Sequence, residues 1–346
     1  MATLANKYRP LTFNDVVEQK STVTILTNQL NKGTYSNCYL FYGPSGCGKT
    51  TLARILASQL NGGPTGIHEI DAGSQNGVDE IRRLQEEAVL REVGATYRIY
   101  IIDEAHMLTT NAWNALLKIL EEPPKYTIFM FCTTAVNKVL DTIKSRCTRL
   151  KIKRLPVDKI SDRLRSIAIA EGLVYDELAL NLISKLAMGS MRQAISYLDQ
   201  CKDFGDITQA NVVEVLGDFS YDTFITLTNA IIDNNGQLII NIIQKLYMDG
   251  EDLKDFIDQY KAFCTDLAIY CVMNKNLEIT ALPECIKAQL EYTTALSLDV
   301  NKWFTALADY VSDIALTIQE DPNPRATLNI KLLTAHVKVK AQVQCS

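Results

Sequence analysis

"CYLFYGPSGCGKTT", residues 38–51, is an apolar, β-rich run that stops at a glycine turn and restarts as a helix. Gly43, Gly46 and Gly48 leave successive backbone N–H groups free to wrap an anion, and the helix that follows adds the positive end of its dipole. The contact set is Gly43, Pro44, Ser45, Gly46, Cys47, Gly48, Lys49, Thr50 and Thr51. Lys49 would reach the β- and γ-phosphates of a nucleoside triphosphate, and the Thr50 hydroxyl would bind Mg²⁺. A strand before the pattern and a helix after it raise it well above a chance glycine turn.

Outward from this loop, four more short apolar segments resemble strands: 67–71, 98–102, 127–132 and 148–152. Helical periodicity separates them, so right-handed crossovers and a five-stranded parallel sheet covered on both faces are expected, an α/β class. From Pro156 onward the pattern is helical, with helices at 157–170, 176–187 and 191–201. Beyond Asp206 the spacing stays helical, broken by turn residues at Asp249-Gly250, at Leu282-Pro283 and from Asp321 to Pro324. The expected domains are therefore a sheet domain at 1–155, a small helical domain at 156–205 and an all-α domain at 206–346.

Composition sets outer bounds. With 346 residues and 47% apolar content the chain can bury more than one core. No apolar run approaches the ~20 residues that cross a bilayer, and MATLANKYRP lacks a secretory apolar segment, so a cytoplasmic protein without membrane contact is expected. Nine cysteines without a CxxC pair fit reduced thiols, neither a disulfide framework nor a structural zinc. A formal charge of −5 argues against a generally basic nucleic-acid binder, yet a local face could still meet phosphates.

"RIYIIDEAH", 98–106, delivers Asp103 and Glu104 to the carboxyl edge of the sheet, where the glycine loop also lies. Asp103 would hold the Mg²⁺ shell through water, and Glu104 would orient or deprotonate an attacking water. Thr134 closes "FCTT", 131–134, on the same edge and could bond a γ-phosphate or its water. In "GSMRQA", 189–194, Ser190 and Gln193 form a capping box that places Arg192 in the first helical turn. A cation there is unfavourable unless an anion compensates it, and a nucleotide phosphate would do so; an exposed surface arginine is the other reading.

Arg146 lies just before the fifth strand, hence at the amino edge, and a strand of about five residues spans ~17 Å. It cannot reach its own loop. Two readings stand: an arginine finger completing a neighbouring subunit's site, which requires an oligomer, or a helix C-terminal arginine on the last carbonyls.

These residues together resemble the clamp-loader branch of the AAA+ ATPases, a family that includes gamma/tau subunits of bacterial DNA polymerase III and replication factor C small subunits. The specific elements are "KYRPLTFNDVVEQ" at 7–19, the glycine loop, "IIDEAHML", "NALLKILEEPP" at 114–124, "SRC" at 145–147, "GSMRQAISYLDQ" at 189–200 and "DPNPRATLNIKLL" at 321–333. The resemblance implies ATP and Mg²⁺ as cofactors, and Lys49, Asp103, Glu104, Thr134 (sensor 1), Arg146 (trans finger) and Arg192 (sensor 2) as catalytic residues. It implies Tyr8, Arg9 and Val17 around the adenine, 156–205 as a lid, and 206–346 as the collar of a pentameric ring.

Two departures from the family stand out. "SQLNGGPTGIHEIDAGS", 58–74, runs on without the family's zinc module, and Glu18 stands where the family has glycine. No long tail follows the collar, which fits a compact loader of bacterial or phage origin. DNA would lie against 71–84, with Ser74, Arg82 and Arg83 as contacts; the rival reading is a solvated helix face, since Asp79, Glu80, Glu86 and Glu87 share it. The expected function is an ATPase motor that opens a sliding clamp and loads it on primer-template DNA with partner subunits. Alternatives are a nucleotide-binding scaffold subunit or another AAA+ DNA motor.

Overall fold

In the computed structural model, which describes residues 3–216, 221–273, 300–319 and 321–345, the alternation of strands and helices resolves into a single parallel sheet. Strands β1 (Cys38–Tyr42), β2 (Ile67–Asp71), β3 (Arg98–Asp103), β4 (Thr127–Thr133) and β5 (Thr148–Lys151) lie in the order β2-β3-β4-β1-β5. All neighbouring pairs are parallel. The strand ends shift by about one residue from the apolar runs, as expected where ladder bonds rather than hydrophobicity set the limit. β4 stops at Thr133, so Thr134 stands just past the strand instead of closing it.

The period-2 rule sorts the strand side chains between two faces. Cys38, Leu40, Tyr100, Ile102, Phe129 and Phe131 meet Ile81 and Leu84 of α4 (Val78–Ala88) and Trp113 and Leu116 of α5 (Thr110–Glu121). Tyr39, Phe41, Ile99, Ile101, Met130 and Cys132 meet Leu26 of α2 (Lys20–Lys32) and Leu52 and Leu56 of α3 (Lys49–Asn61). Strands covered on both faces explain why the runs read as continuous apolar segments. Each fully buried Leu, Ile or Phe adds on the order of 1.5–3 kcal/mol. Helix ends follow local chemistry: α3 stops at Gly62 (φ 67°), and Thr109 Oγ1 caps α5 by accepting from Ala112 N–H at 3.2 Å.

The chain divides into two compact units, one of Met1–Leu173 with Ile183–Asp199, the other of Val174–Leu182 with Gln200–Ser346. α7 (Val157–Glu171) and the first part of α9 (Met191–Phe204) thus belong to the sheet unit, while α8 (Glu177–Leu186) is divided between the two. The second unit holds α10 (Gln209–Leu216), α11 (Tyr221–Ile232), α12 (Gly236–Met248), α13 (Leu253–Val272), α14 (Val300–Gln319) and α15 (Pro324–Cys345). Its core gathers Phe224, Phe256, Tyr260, Trp303, Leu307 and Leu332, and the Thr228 and Tyr260 hydroxyls bond each other at 3.0 Å within it. α12 ends at Asp249 before Gly250 (φ 83°), and Pro324 opens α15, as the turn residues predict. The Leu282-Pro283 break lies outside the described residues. Among the described residues no helix is long and apolar enough to cross a membrane.

Candidate functional site

The sheet order decides what meets at the carboxyl edge. β1 and β3 flank β4, so the glycine loop after β1, the acids after β3 and the threonines after β4 are side by side. Gly43 has φ 150°, and a Cβ added to it would fall 2.1 Å from Ile152 O; at Gly46 (φ 70°) it would fall 1.9 Å from Ser190 Oγ. Both positions exclude side chains by contact as well as by torsion. Lys49 is 6% exposed, and its Nζ donates to Pro44 O at 2.9 Å, which keeps the ammonium on the loop.

Thr50 Oγ1 donates to Asp103 Oδ2 at 2.8 Å, and Asp103 Oδ1 accepts from Glu104 N–H at 3.0 Å. A hydroxyl and a carboxylate oxygen at the head of a helix form a hard-oxygen pair that fits Mg²⁺, with water and phosphate completing the shell. Beneath them, burial first and the Asp103 charge second push the Cys132 thiol far above its usual range, so it stays neutral. Glu104 adopts a left-handed backbone, φ 44°, a conformation that costs a non-glycine residue on the order of 1 kcal/mol. Its Oε2 accepts from Thr134 Oγ1 at 3.2 Å and lies 3.3 Å from His106 Nδ1.

The other wall comes from the N-terminal segment and from α7 and α9. Tyr8, Arg9 and Val17 line the same cavity as Ser45 to Thr51, Asp103, Glu104 and Arg192, together with Ala5, Leu155, Met191 and Ile195. Arg163 Nη2 donates to Tyr8 O at 3.1 Å. The Tyr8 hydroxyl donates to Glu171, which also accepts from Lys7 Nζ at 2.6 Å. That bond to Glu171, followed by burial, pushes the Tyr8 phenol above its ordinary range. Arg192 N–H donates to Gly46 O at 3.3 Å. Only half of the expected capping box forms as drawn from sequence: Ser190 Oγ accepts from Gln193 N–H at 3.3 Å, whereas Ser190 N–H goes to Ala187 O at 2.9 Å. The preceding turn, with Gly189 at φ 84°, supplies that closer acceptor.

Four expected residues lie away from the cavity. Arg146 stands at the amino edge, two residues before Thr148, which pairs with Tyr39 of β1. Its Nη1 donates to Thr142 O at 2.7 Å and its Nη2 pairs with Glu121 Oε1 at 2.6 Å. The helix C-terminal arrangement is therefore present within the chain, on a side chain that remains 33% exposed. Ser74 Oγ donates to Asp71 O at 3.2 Å, Arg82 meets Asp79 at 3.5 Å, and Arg83 is exposed.

Comparison with known proteins shows what the chain is similar to. A family model described as DNA polymerase III, delta subunit, matches residues 66–156, and one described as DNA polymerase III clamp loader subunit, ATPase lid domain, matches 159–206. The DNA polymerase III subunit tau of Bacillus subtilis is 36% identical over 286 residues, covering 76% of this chain and 51% of the relative. The subunit gamma/tau of Mycoplasma genitalium is 33% identical over 297 residues, covering 79% and 50%. The chain belongs to the DNA polymerase III clamp-loader family. It spans about half the length of these curated relatives. Among solved structures, the Thermotoga maritima RuvB Holliday junction branch migration motor superposes with a TM-score of 0.52 at 20% identity, covering 71% of this chain and 86% of that one. At that identity the likeness concerns the AAA+ fold alone.

Sequence reasoning passes over several side chains that shape this clamp-loader site. His106 and Thr133 meet at 3.1 Å beside Glu104, and Arg163 supports the Tyr8 backbone. Gln19 clasps Lys153 with both ends of its amide, donating to its O at 2.7 Å and accepting from its N–H at 3.1 Å. His106, Thr133 and Gln19 lie inside motifs quoted from the sequence, but their contacts, like that of Arg163, join segments distant in the chain and no local pattern encodes them.

Proposed function

We propose that this chain is an ATP-driven motor subunit of a sliding-clamp loader, acting on primer-template DNA in a ring, expected to be pentameric, with partner subunits. The observation that carries this reading is the split between its two sets of charged groups. Lys49, Thr50, Asp103, Glu104 and Arg192 converge on one cavity. Arg146 sits at the opposite end of the strands.

In this reading the backbone amides of Gly43 to Thr51 and the Lys49 ammonium hold the triphosphate, and Tyr8, Arg9 and Val17 hold the adenine. Mg²⁺ would be held by Thr50 and, through water, by Asp103, and when bound it supplies charge neutralisation at the phosphates. Glu104 orients the attacking water and accepts its proton, while Thr134 and Arg192 contact the γ-phosphate. Arg146 completes a neighbour's site, for which it must leave Glu121. That makes hydrolysis conditional on assembly. We further assign 1–155 to the ATPase domain, 156–205 to the lid, 206–346 to the collar, and Ser74, Arg82 and Arg83 to the DNA backbone, in a cytoplasmic setting. The names of the relatives and the lid-domain match support this reading.

Its test mixes Arg146→Ala subunits with Glu104→Gln subunits in a reconstituted loader with clamp and primed DNA. Turnover in the mixture above the sum of the separate populations is expected, because some interfaces then pair intact elements. Strict additivity overturns the trans finger. A wild-type assembly whose hydrolysis neither clamp nor DNA stimulates favours the scaffold reading.

A further inference from the structure

Glu104 is strained in its backbone, and its carboxylate is held by groups from β4 and from its own turn. η-type turn residues Ala105–Met107 follow it directly, with Met107 N–H returning to Glu104 O at 2.8 Å. This tight return brings the His106 ring back beside the carboxylate, where Nδ1 lies 3.3 Å from Glu104 Oε2 and 3.1 Å from Thr133 Oγ1. The His106 side chain is 13% exposed and Thr133 is fully buried.

The neighbouring carboxylate selects the tautomer. Ala135 N–H donates to Thr133 Oγ1 at 3.1 Å, which leaves that hydroxyl a second lone pair and its own O–H. Glu104 Oε2 is an acceptor by chemistry. A ring nitrogen 3.3 Å from an oxygen that can only accept is favoured in its N–H form, with the Thr133 hydroxyl as its hydrogen-bond acceptor. We propose that His106, as the Nδ1–H tautomer, is a positioning residue that fixes the orientation of the Glu104 carboxylate. Thr134 Oγ1 supplies the second donor to the same oxygen. The left-handed turn at Glu104 and the imidazole clasp thus act together: one aims the side chain, the other stops it rotating. This inference rests on the reading of Glu104 as the group that orients water.

Its test separates three substitutions at His106. In a reconstituted loader, His106→Ala lowers kcat for ATP by roughly 10- to 100-fold with KM within about 2-fold of wild type, because orientation and not binding is lost. His106→Asn sets an amide N–H where Nδ1 stood and restores most of the rate; His106→Gln sets it where Nε2 stood and does not. Equal rescue by both, an unchanged rate in His106→Ala, or a parallel rise in KM overturns the proposal. A second readout needs no turnover. The chain has three histidines, so long-range ¹H–¹⁵N correlation can assign His106. An Nδ1–H tautomer is expected, and an Nε2–H tautomer overturns the proposal. If the tautomer is as expected while wild type fails to hydrolyse ATP, the function reading has failed and the clasp has not.

Discussion

Glu18 and Gln19 take left-handed conformations in succession, φ 58° and 54°, as the N-terminal segment turns into α2. The second residue offsets its strain through the two amide bonds to Lys153, whereas the half-buried Glu18 gains no comparable pair of bonds. Glu18→Gly should therefore raise stability by about 0.5–1 kcal/mol, read as a higher urea midpoint with unchanged slope. Gly46 behaves in the opposite way. Gly46→Ala places a methyl 1.9 Å from Ser190 Oγ at a positive φ, so it should cost at least ~1 kcal/mol and weaken nucleotide binding measured by calorimetry. Both effects belong to single residues, and both positions stood out in the string, Gly46 by loop spacing and Glu18 as a departure from a family glycine. The glycine loop announces itself by spacing; the clasp on Glu104 does not, because Thr133 and His106 come together only when β3 and β4 pair.

At the scale of an element, the segment at residues 89–97 between α4 and β3 is tied to the sheet edge by charge. Glu92 accepts from His68 at 3.0 Å and forms an ion pair with the Arg98 guanidinium, its Oε2 lying 2.7 Å from Nε. The His68 bond first, then the Arg98 charge, holds the Glu92 carboxyl below the usual carboxylate range. A lowered folded value means that this stabilisation is present above the unfolded value of about 4.3 and is lost as pH falls through the folded one. Glu92→Gln should lower stability at pH 7 and flatten its decline between about pH 4.5 and 3, measured by urea denaturation across that window. Strand positions were legible to within a residue because both faces of the sheet are apolar. The capping box at Ser190 was only half legible, since the tight turn at Gly189 offered its N–H a nearer acceptor than the Gln193 side chain.

For the whole molecule, the described thiols are buried except Cys147, which is half-buried. Burial pushes Cys201 up to about 11 and Cys264 up to about 12. Native alkylation at pH 8 should therefore modify the half-buried Cys147 well before Cys201 or Cys264, and peptide mass mapping over time checks the order. Cys147 neighbours Arg146, so its labelling rate should fall when copies assemble, which tests whether that edge is covered. Family and fold were legible because clamp-loader motifs recur along the chain from residue 7 to residue 333, while the pairing of Arg146 with Glu121 was not, since it joins residues 25 apart. The amide that Arg192 offers to Gly46 couples the anion cradle to the helix beside it. Whatever tightens the cradle must slow deuterium uptake at that single backbone position, so the molecule carries its own gauge of occupancy.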